Sequence, residues 1–327
     1  MFRTKRLLVP TLLSLALLLS FVPRAAGQLT TLRVGILPIV STMPLYATVE
    51  KGFSTAEGLK LDFKPMRGGA VILPAVAGGS LEIGMSAYMS VIISRTRGFD
   101  FTIIAPQNRE RYYTTPSGRE GISAIMVLED SGIRRPEDLK GKTIAVNTFS
   151  NVNQIYAYEW LSRHGVEPKK GVNWIEIGFP RMGPALRNRQ VDAISQTEPF
   201  ITVENERGGV RSIGWPYQEV SPDKPLEISG YVVTEAWLAK NRNLVERFVR
   251  AYYKGMDYVL AHPKEWAGFL RKYTRVNPRL IPKIKIWDWH HPLDVSSIQR
   301  QVDLTYKWGV IKTKVDAAKF IHSTALR

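Results

Sequence analysis

Five histidines and no cysteine limit what the side chains of this 327-residue chain can do. Without a thiol there is no thiolate nucleophile, no thiolate zinc site and no iron–sulfur ligation. His164, His262 and His322 stand alone, and only His290 and His291 are neighbours. Adjacent residues of an extended chain point apart, so the pair is not expected to share a metal. Neither His-Glu-x-x-His nor Gly-x-Ser-x-Gly occurs. What the chain offers instead is small hydroxyls, amides and glycines placed just after β-branched apolar runs. Ser41, Thr42 and Met43 follow one run, Arg67, Gly68 and Gly69 a second, Ser86 and Tyr88 a third. Farther on come Thr148, Phe149, Ser150 and Asn151, then Arg181, then Thr197, Glu198 and Phe200. Such residues hold a ligand by hydrogen bonds and do not react with it. Glycine pairs admit close backbone approach, and arginine can pair with a carboxylate or sulfonate through two parallel bonds. Tyr88, Phe149, Phe200 and Tyr231 add aromatic surface suited to a flat organic ligand. Glu198 suits an ammonium, amide or ring N–H and disfavours a bare inorganic anion. The competing use of Ser41, Thr42, Ser150 and Asn151 is plain helix capping.

The elements before these loops explain why they should converge. The chain repeats itself at a constant offset: Pro74-Ala75-Val76 answers Pro184-Ala185-Leu186, and Leu81-Glu82-Ile83 answers Val191-Asp192-Ala193. Upstream, Val34 and Ile36 meet Ile144 and Val146, and Tyr46-Ala47 meets Tyr156-Ala157. Each copy reads as strand, helix, strand, helix, strand. Strands are expected at 32–37, 59–63 and 83–85, and again at 143–146, 172–177 and 193–195. Helices are expected at 44–50 and 70–77, then at 154–163 and 183–189, the last begun by Gly183-Pro184. Alternation of this kind implies right-handed crossovers and a mostly parallel sheet in each half. In such sheets ligands sit beyond the carboxyl ends of the strands, where helix N-termini offer free N–H groups. Turn residues at 116–119, and from Trp215-Pro216 to Pro225, suit two linkers between halves. A strand at 228–233 and a long helix at 244–260 follow, and the mostly helical remainder is expected to pack back on the first half, with Trp287 and Trp289 as packing or partner surface.

The N-terminus sets the compartment. Arg3, Lys5 and Arg6 precede an apolar run from Leu7 to Val22, and small residues stand at Ala25 and Gly27. That order is the secretory leader pattern, with cleavage expected near Gly27; an uncleaved anchor is the alternative. The formal net charge is +16, but basic residues are interspersed with acids, which argues for a solvated basic surface and against a nucleic-acid partner.

The motif string itself resembles a known family. Pro44-Leu45 with Ala47, Glu50-Lys51-Gly52-Phe53, Glu57-Gly58-Leu59 and Gly78-Gly79-Ser80-Leu81-Glu82-Ile83-Gly84 are followed by Pro136-Glu137-Asp138-Leu139-Lys140-Gly141-Lys142. Ala185-Leu186, Val191-Asp192-Ala193 and Glu198-Pro199-Phe200 complete the series. In order and spacing it resembles the periplasmic substrate-binding proteins of nitrate/sulfonate/taurine-type ABC importers over nearly the whole mature chain. The resemblance implies a two-lobed α/β type II periplasmic binding protein fold whose cleft closes on a small-molecule ligand and presents it to an ABC permease at the inner membrane. It implies a monomer without a cofactor and without catalysis. Residues 28–118 would begin lobe 1, 119–215 form lobe 2, and 216–327 return to lobe 1. Glu82 stands where the family usually has Asp, and Phe149 where many members have Gly; the second departure alters the expected anion-cradling loop and favours a flatter, more apolar ligand. A small organic anion, zwitterion or heteroaromatic acid is expected. The same fold resembles fungal thiamine-precursor synthases, the enzyme alternative, and a ligand-sensing subunit of a membrane receptor is a third reading.

Overall fold

The computed structural model describes residues 28–115, 118–274 and 276–327. The expected leader, with its cleavage site, and Pro116-Ser117 of the first linker lie outside the described residues. The chain opens with strand β1 (Thr30–Ile36), helices α1 (Met43–Glu50) and α2 (Phe53–Ala56), β2 (Leu59–Pro65) and α3 (Gly69–Ala77). It continues through β3 (Ile83–Ala87), α4 (Tyr88–Thr96) and β4 (Phe101–Arg109). A small hairpin, β5 (Tyr113–Thr115) and β6 (Gly118–Glu120), leads to β7 (Ser123–Leu128), β8 (Thr143–Val146) and α5 (Val152–Arg163). Then come β9 (Asn173–Glu176), α6 (Phe179–Arg187), β10 (Ala193–Thr197), α7 (Phe200–Arg207) and β11 (Val210–Gly214). Helix α8 (Pro216–Val220) precedes β12 (Glu227–Thr234), and α9 (Glu235–Ala261), α10 (Trp266–Tyr273) and α11 (Val295–Lys307) finish the chain.

Two five-stranded sheets result, ordered β2-β1-β3-β12-β4 and β9-β8-β10-β7-β11. In each, four strands run one way and one runs against them, β12 in the first sheet and β7 in the second. The opposed strand is in both cases the first that the chain lays down after passing between sheets. The repeat seen in the sequence is a repeat of register. Val34 pairs with Ile83 and Ile144 with Ala193, so both partners shift by the same number of residues. On the other side of the central strand Val34 pairs with Phe63 but Ile144 with Trp174, a one-residue insertion in the second copy.

Local chemistry sets the boundaries. Pro44 lies in the first turn of α1, where no N–H is needed, and Gly52 beyond its end takes the left-handed φ of 72° that closes the helix. The Asn151 side chain caps α5 by accepting from Gln154 N at 3.0 Å. Helix α6 begins four residues earlier than the Gly183-Pro184 signal indicates. Its first-turn proline is Pro180, and Pro184 sits inside the helix as Pro74 sits inside α3. Helix α9 also starts early, because Thr234 caps it by accepting from Trp237 N at 3.2 Å. A non-helical Asn241 interrupts it, and this is why the apolar periodicity becomes regular only from Leu244. Trp287 and Trp289 are both buried. Among the described residues no helix is long and apolar enough to cross a membrane.

Candidate functional site

The carboxyl ends of the parallel strands meet in a partly open chamber of about 60 Å³. From the first sheet's side it receives Leu37 and Ile39 after β1, Gly68 and Gly69 at the start of α3, and Met85, Ala87 and Ser90 after β3. From the second come Asn147, Thr148, Asn151, Val152 and Asn153 around the start of α5, with Phe179 and Thr197. Tyr217, Ile228, Ser229 and Trp287 close it from the second crossover and the C-terminal segment. The two sides touch. A methyl group added to Gly68 would lie 3.2 Å from Asn147 Nδ2 and 3.4 Å from Thr148 Oγ1. Asn147 Nδ2 itself donates across the gap to the Arg67 carbonyl at 3.4 Å.

No charged side chain lines this chamber, and its acceptors are largely occupied. Asn147 Oδ1 accepts from Asn151 Nδ2 and, at 2.9 Å, from Asn153 Nδ2. Asn153 Oδ1 accepts from Ser123 Oγ at 3.3 Å and from the Tyr217 hydroxyl. Donors are what remain. The Gly69 and Ala70 N–H groups at the start of α3 have no partner within the helix, Val71 and Ile72 donating to the Gly68 carbonyl, and the Thr148 hydroxyl and the Trp287 indole N–H are buried without a partner. A neutral chamber with surplus donors favours a group rich in acceptor oxygens.

A second recess of about 260 Å³ adjoins the first, sharing Leu37, Ile39 and Phe179 with it. Pro38, Pro65, Met66, Pro180 and Phe200 make it apolar, and Arg67 is its one charged residue.

The residues singled out in the sequence divide into three groups. Gly68, Gly69, Thr148, Asn151 and Thr197 lie on the chamber wall, and Arg67 and Phe200 on that of the recess. The rest line neither. Ser41, Thr42, Met43, Ser86 and Tyr88 are buried behind the wall. There Thr42 Oγ1 donates to the Leu37 carbonyl at 2.6 Å and Ser41 O accepts from Trp289 Nε1 at 3.1 Å. Tyr88 lies against Gly230 of β12, and Tyr231 packs edge-on against Phe248 and Tyr252 of α9. Phe149 is 45% exposed, since its N–H is held by Glu176 and Ser150 turns the chain with a φ of 55°. Arg181 is exposed on α6. Glu198 is 1% exposed, and its carboxylate accepts from Thr202 Oγ1 at 2.9 Å and Thr202 N at 3.2 Å. Burial pushes its carboxyl up to about 7, against the pull of Thr202 and Lys285. Its charge is therefore spent on α7, and no repulsion of anions acts from the wall itself.

The NMT1/THI5-like family model matches residues 40–266. The chain belongs to that family. A Brachyspira hyodysenteriae relative, whose name places it among ABC transporter periplasmic binding proteins, is 24% identical over 77% of this chain and 72% of its own. The 4-amino-5-hydroxymethyl-2-methylpyrimidine phosphate synthase of Aspergillus parasiticus is 25% identical over 72% and 67%. Among solved structures, the alkanesulfonate-binding protein SsuA of Xanthomonas axonopodis pv. citri, bound to MOPS, superimposes with a TM-score of 0.72. It is 16% identical, and the match covers 89% of this chain and 98% of that one. The fold is the two-lobed α/β fold of periplasmic binding proteins.

Within this NMT1/THI5-like chain, sequence reasoning passed over Asn147, Asn153, Tyr217, Ser229 and Trp287 as wall residues. Asn147 is the first residue after β8, and Asn153 lies in the first turn of α5, so both were within reach of the strand-end rule. Tyr217, Ser229 and Trp287 arrive by long-range return of the chain and carry no local signal.

Proposed function

We propose that this protein is the solute-binding subunit of an ABC-type importer, exported to the periplasm, and that it captures a small organic anion between its lobes. The observation that carries the reading is the chamber wall: both sheets contribute to it, none of its side chains is charged, and the Trp287 indole N–H and Thr148 hydroxyl on it are free to donate. An anion held this way is stabilised by fixed dipoles, which avoids the cost of burying a counter-charge. The chamber, at about 60 Å³ against about 260 Å³ for the recess, suits a ligand's head group. The body of a larger ligand extends into the apolar recess toward Arg67. Residues 28–118 with 216–327, and 119–215, act as the two bodies that close, and the closed pair is what a permease recognises.

Among the relatives are synthases, so conversion of the ligand is the rival. The wall carries no His, Lys, Asp, Glu or Cys to serve as base, acid or nucleophile, which favours capture without conversion. Thermal-shift screening against methanesulfonate, taurine, aromatic carboxylates, amino acids and pyrimidines tests the reading. A true ligand at a hundred times its Kd stabilises the native state by about 2.7 kcal/mol. The expected hits are sulfonates or carboxylates, recovered unaltered from the protein. Stabilisation by pyrimidines alone, or recovery of a changed compound, counts against it.

A further inference from the structure

The C-terminal segment from Ile286 to Trp289 is held residue by residue, with one exception. Ile286 is fixed on both sides by Tyr113, whose hydroxyl accepts its N–H at 2.9 Å and donates to its carbonyl at 2.5 Å. Asp288 pairs with the end of β4, exchanging backbone bonds with Arg109 at 3.0 and 3.3 Å and taking the Arg109 guanidinium on its carboxylate. Trp289 spends its indole N–H on the Ser41 carbonyl at 3.1 Å. Trp287 stands between them, 3% exposed, on the chamber wall, and its indole N–H has no partner. A buried donor without a partner has lost its water and gained nothing in return, and an indole N–H can only donate. Among the described residues, the other fully buried side-chain atom on this wall without a partner is Thr148 Oγ1, in a residue 3% exposed and brought from the second sheet.

We propose that the Trp287 indole N–H and the Thr148 hydroxyl are the specificity-determining donors of the cleft, each taking one oxygen of the ligand's sulfonate or carboxylate group. This rests on the capture of an organic anion proposed above. It adds that the C-terminal segment, fixed to β4 and to the loop after β1, reads the ligand directly. Because Trp287 is anchored through neighbours that need no ligand, it is placed before binding, and only the donors of the second lobe must travel. The requirement is for acceptor oxygens, so an ammonium or guanidinium in the same place is rejected.

Titration calorimetry with methanesulfonate and taurine on the wild type and on Trp287→Phe, Thr148→Val and Thr148→Ser tests this. Trp287→Phe and Thr148→Val are each expected to weaken binding about tenfold or more, and Thr148→Ser to stay within about threefold, with ligand-free melting temperatures near wild type. Should Trp287→Phe fail to fold, the Thr148 pair decides, because Val and Ser differ in the hydroxyl. Wild-type affinity in Trp287→Phe and Thr148→Val overturns the assignment and leaves the capture of an anion standing. A wild type that takes up neither probe but binds a cationic solute overturns both.

Discussion

The Glu82 carboxylate accepts the backbone N–H of Arg33 at 2.6 Å. The second half repeats the bond, Asp192 accepting the N–H of Thr143 at 2.8 Å. In both halves the acid stands at the entry to the third strand and ties it to the first, just beside the Val34–Ile83 and Ile144–Ala193 pairs. The repeated acidic position in the sequence is thus a register lock, and Glu in one half and Asp in the other both reach the amide.

Removing that lock is expected to cost stability and spare ligand recognition. Glu82→Ala should lose about 1.5–3 kcal/mol, the value of a hydrogen bond to a charged group, as read by urea unfolding at pH 7. Burial opposes ionisation of Glu82, but bonds from the Arg33 side chain and backbone outweigh it and hold the carboxyl below its ordinary 4.5. The stabilisation is therefore complete above pH 4.5 and is lost as pH falls through the lowered value. Equal unfolding midpoints for wild type and Glu82→Ala at pH 7 contradict the lock.

Glu110 is expected to act with the opposite sign. It sits at the crossovers, its N–H donating to the Leu226 carbonyl at 2.8 Å and its carboxylate accepting Ile122 N at 3.1 Å. Burial pushes its carboxyl up to about 8, only partly offset by the Ile122 bond, and Tyr217 and Tyr113 are the titratable groups that feel its charge. A raised carboxyl pKa means the folded state keeps a proton that the unfolded chain releases near 4.5. Its contribution is whole below that pH and lost as pH rises through 8. Melting temperature should fall between pH 5 and 8.5, Glu198 adding to the slope through its own value of about 7. Glu110→Gln should flatten the curve; an unchanged slope rules this residue out as its source.

Closure is open to a steric test at Gly68. Its backbone is extended, so a side chain costs no strain there, yet any Cβ meets Asn147 and Thr148 across the cleft at 3.2–3.4 Å. Gly68→Ala asks those residues to give by a few tenths of an ångström, whereas Gly68→Val cannot fit without parting the loops. Expected for Gly68→Val is an affinity at least about tenfold weaker, with no ligand-induced compaction in small-angle scattering and an unchanged ligand-free melting curve. Full compaction at saturation would show that the lobes do not meet at this point.

How much of this was legible in the sequence follows from where each signal resides. The duplication was visible because register is a property of short β-branched runs and the acids between them, and these recur at constant spacing. Strand-end loops followed from topology, which is why Gly68, Gly69, Thr148, Asn151 and Thr197 reach the chamber. Side-chain direction within a loop was not legible. Thr42 turned to the Leu37 carbonyl, Glu198 to Thr202, and Phe149 to solvent, each decided by a partner only the fold supplies. Trp287 was harder still, being delivered by pairing with β4, some 180 residues earlier in the chain, for which local pattern holds no trace.

The recess makes ligand size the last discriminating variable. Arg67 is exposed at its rim, with its stem near Gly178, and the surrounding Pro38, Met66, Pro180 and Phe200 offer only apolar contact. A ligand confined to the inner chamber does not reach the guanidinium, but an elongated one with a second anionic group does. Arg67→Ala is therefore expected to leave methanesulfonate affinity unchanged while weakening an aromatic disulfonate or dicarboxylate severalfold. An exposed arginine works through a screened field, so the difference should shrink as salt rises from about 0.05 to 0.5 M. Equal losses for both ligands would mean that the guanidinium does not distinguish them by length and that the recess takes no part in recognition; the 3.4 Å bond from Asn147 Nδ2 goes to the Arg67 backbone carbonyl, which alanine retains.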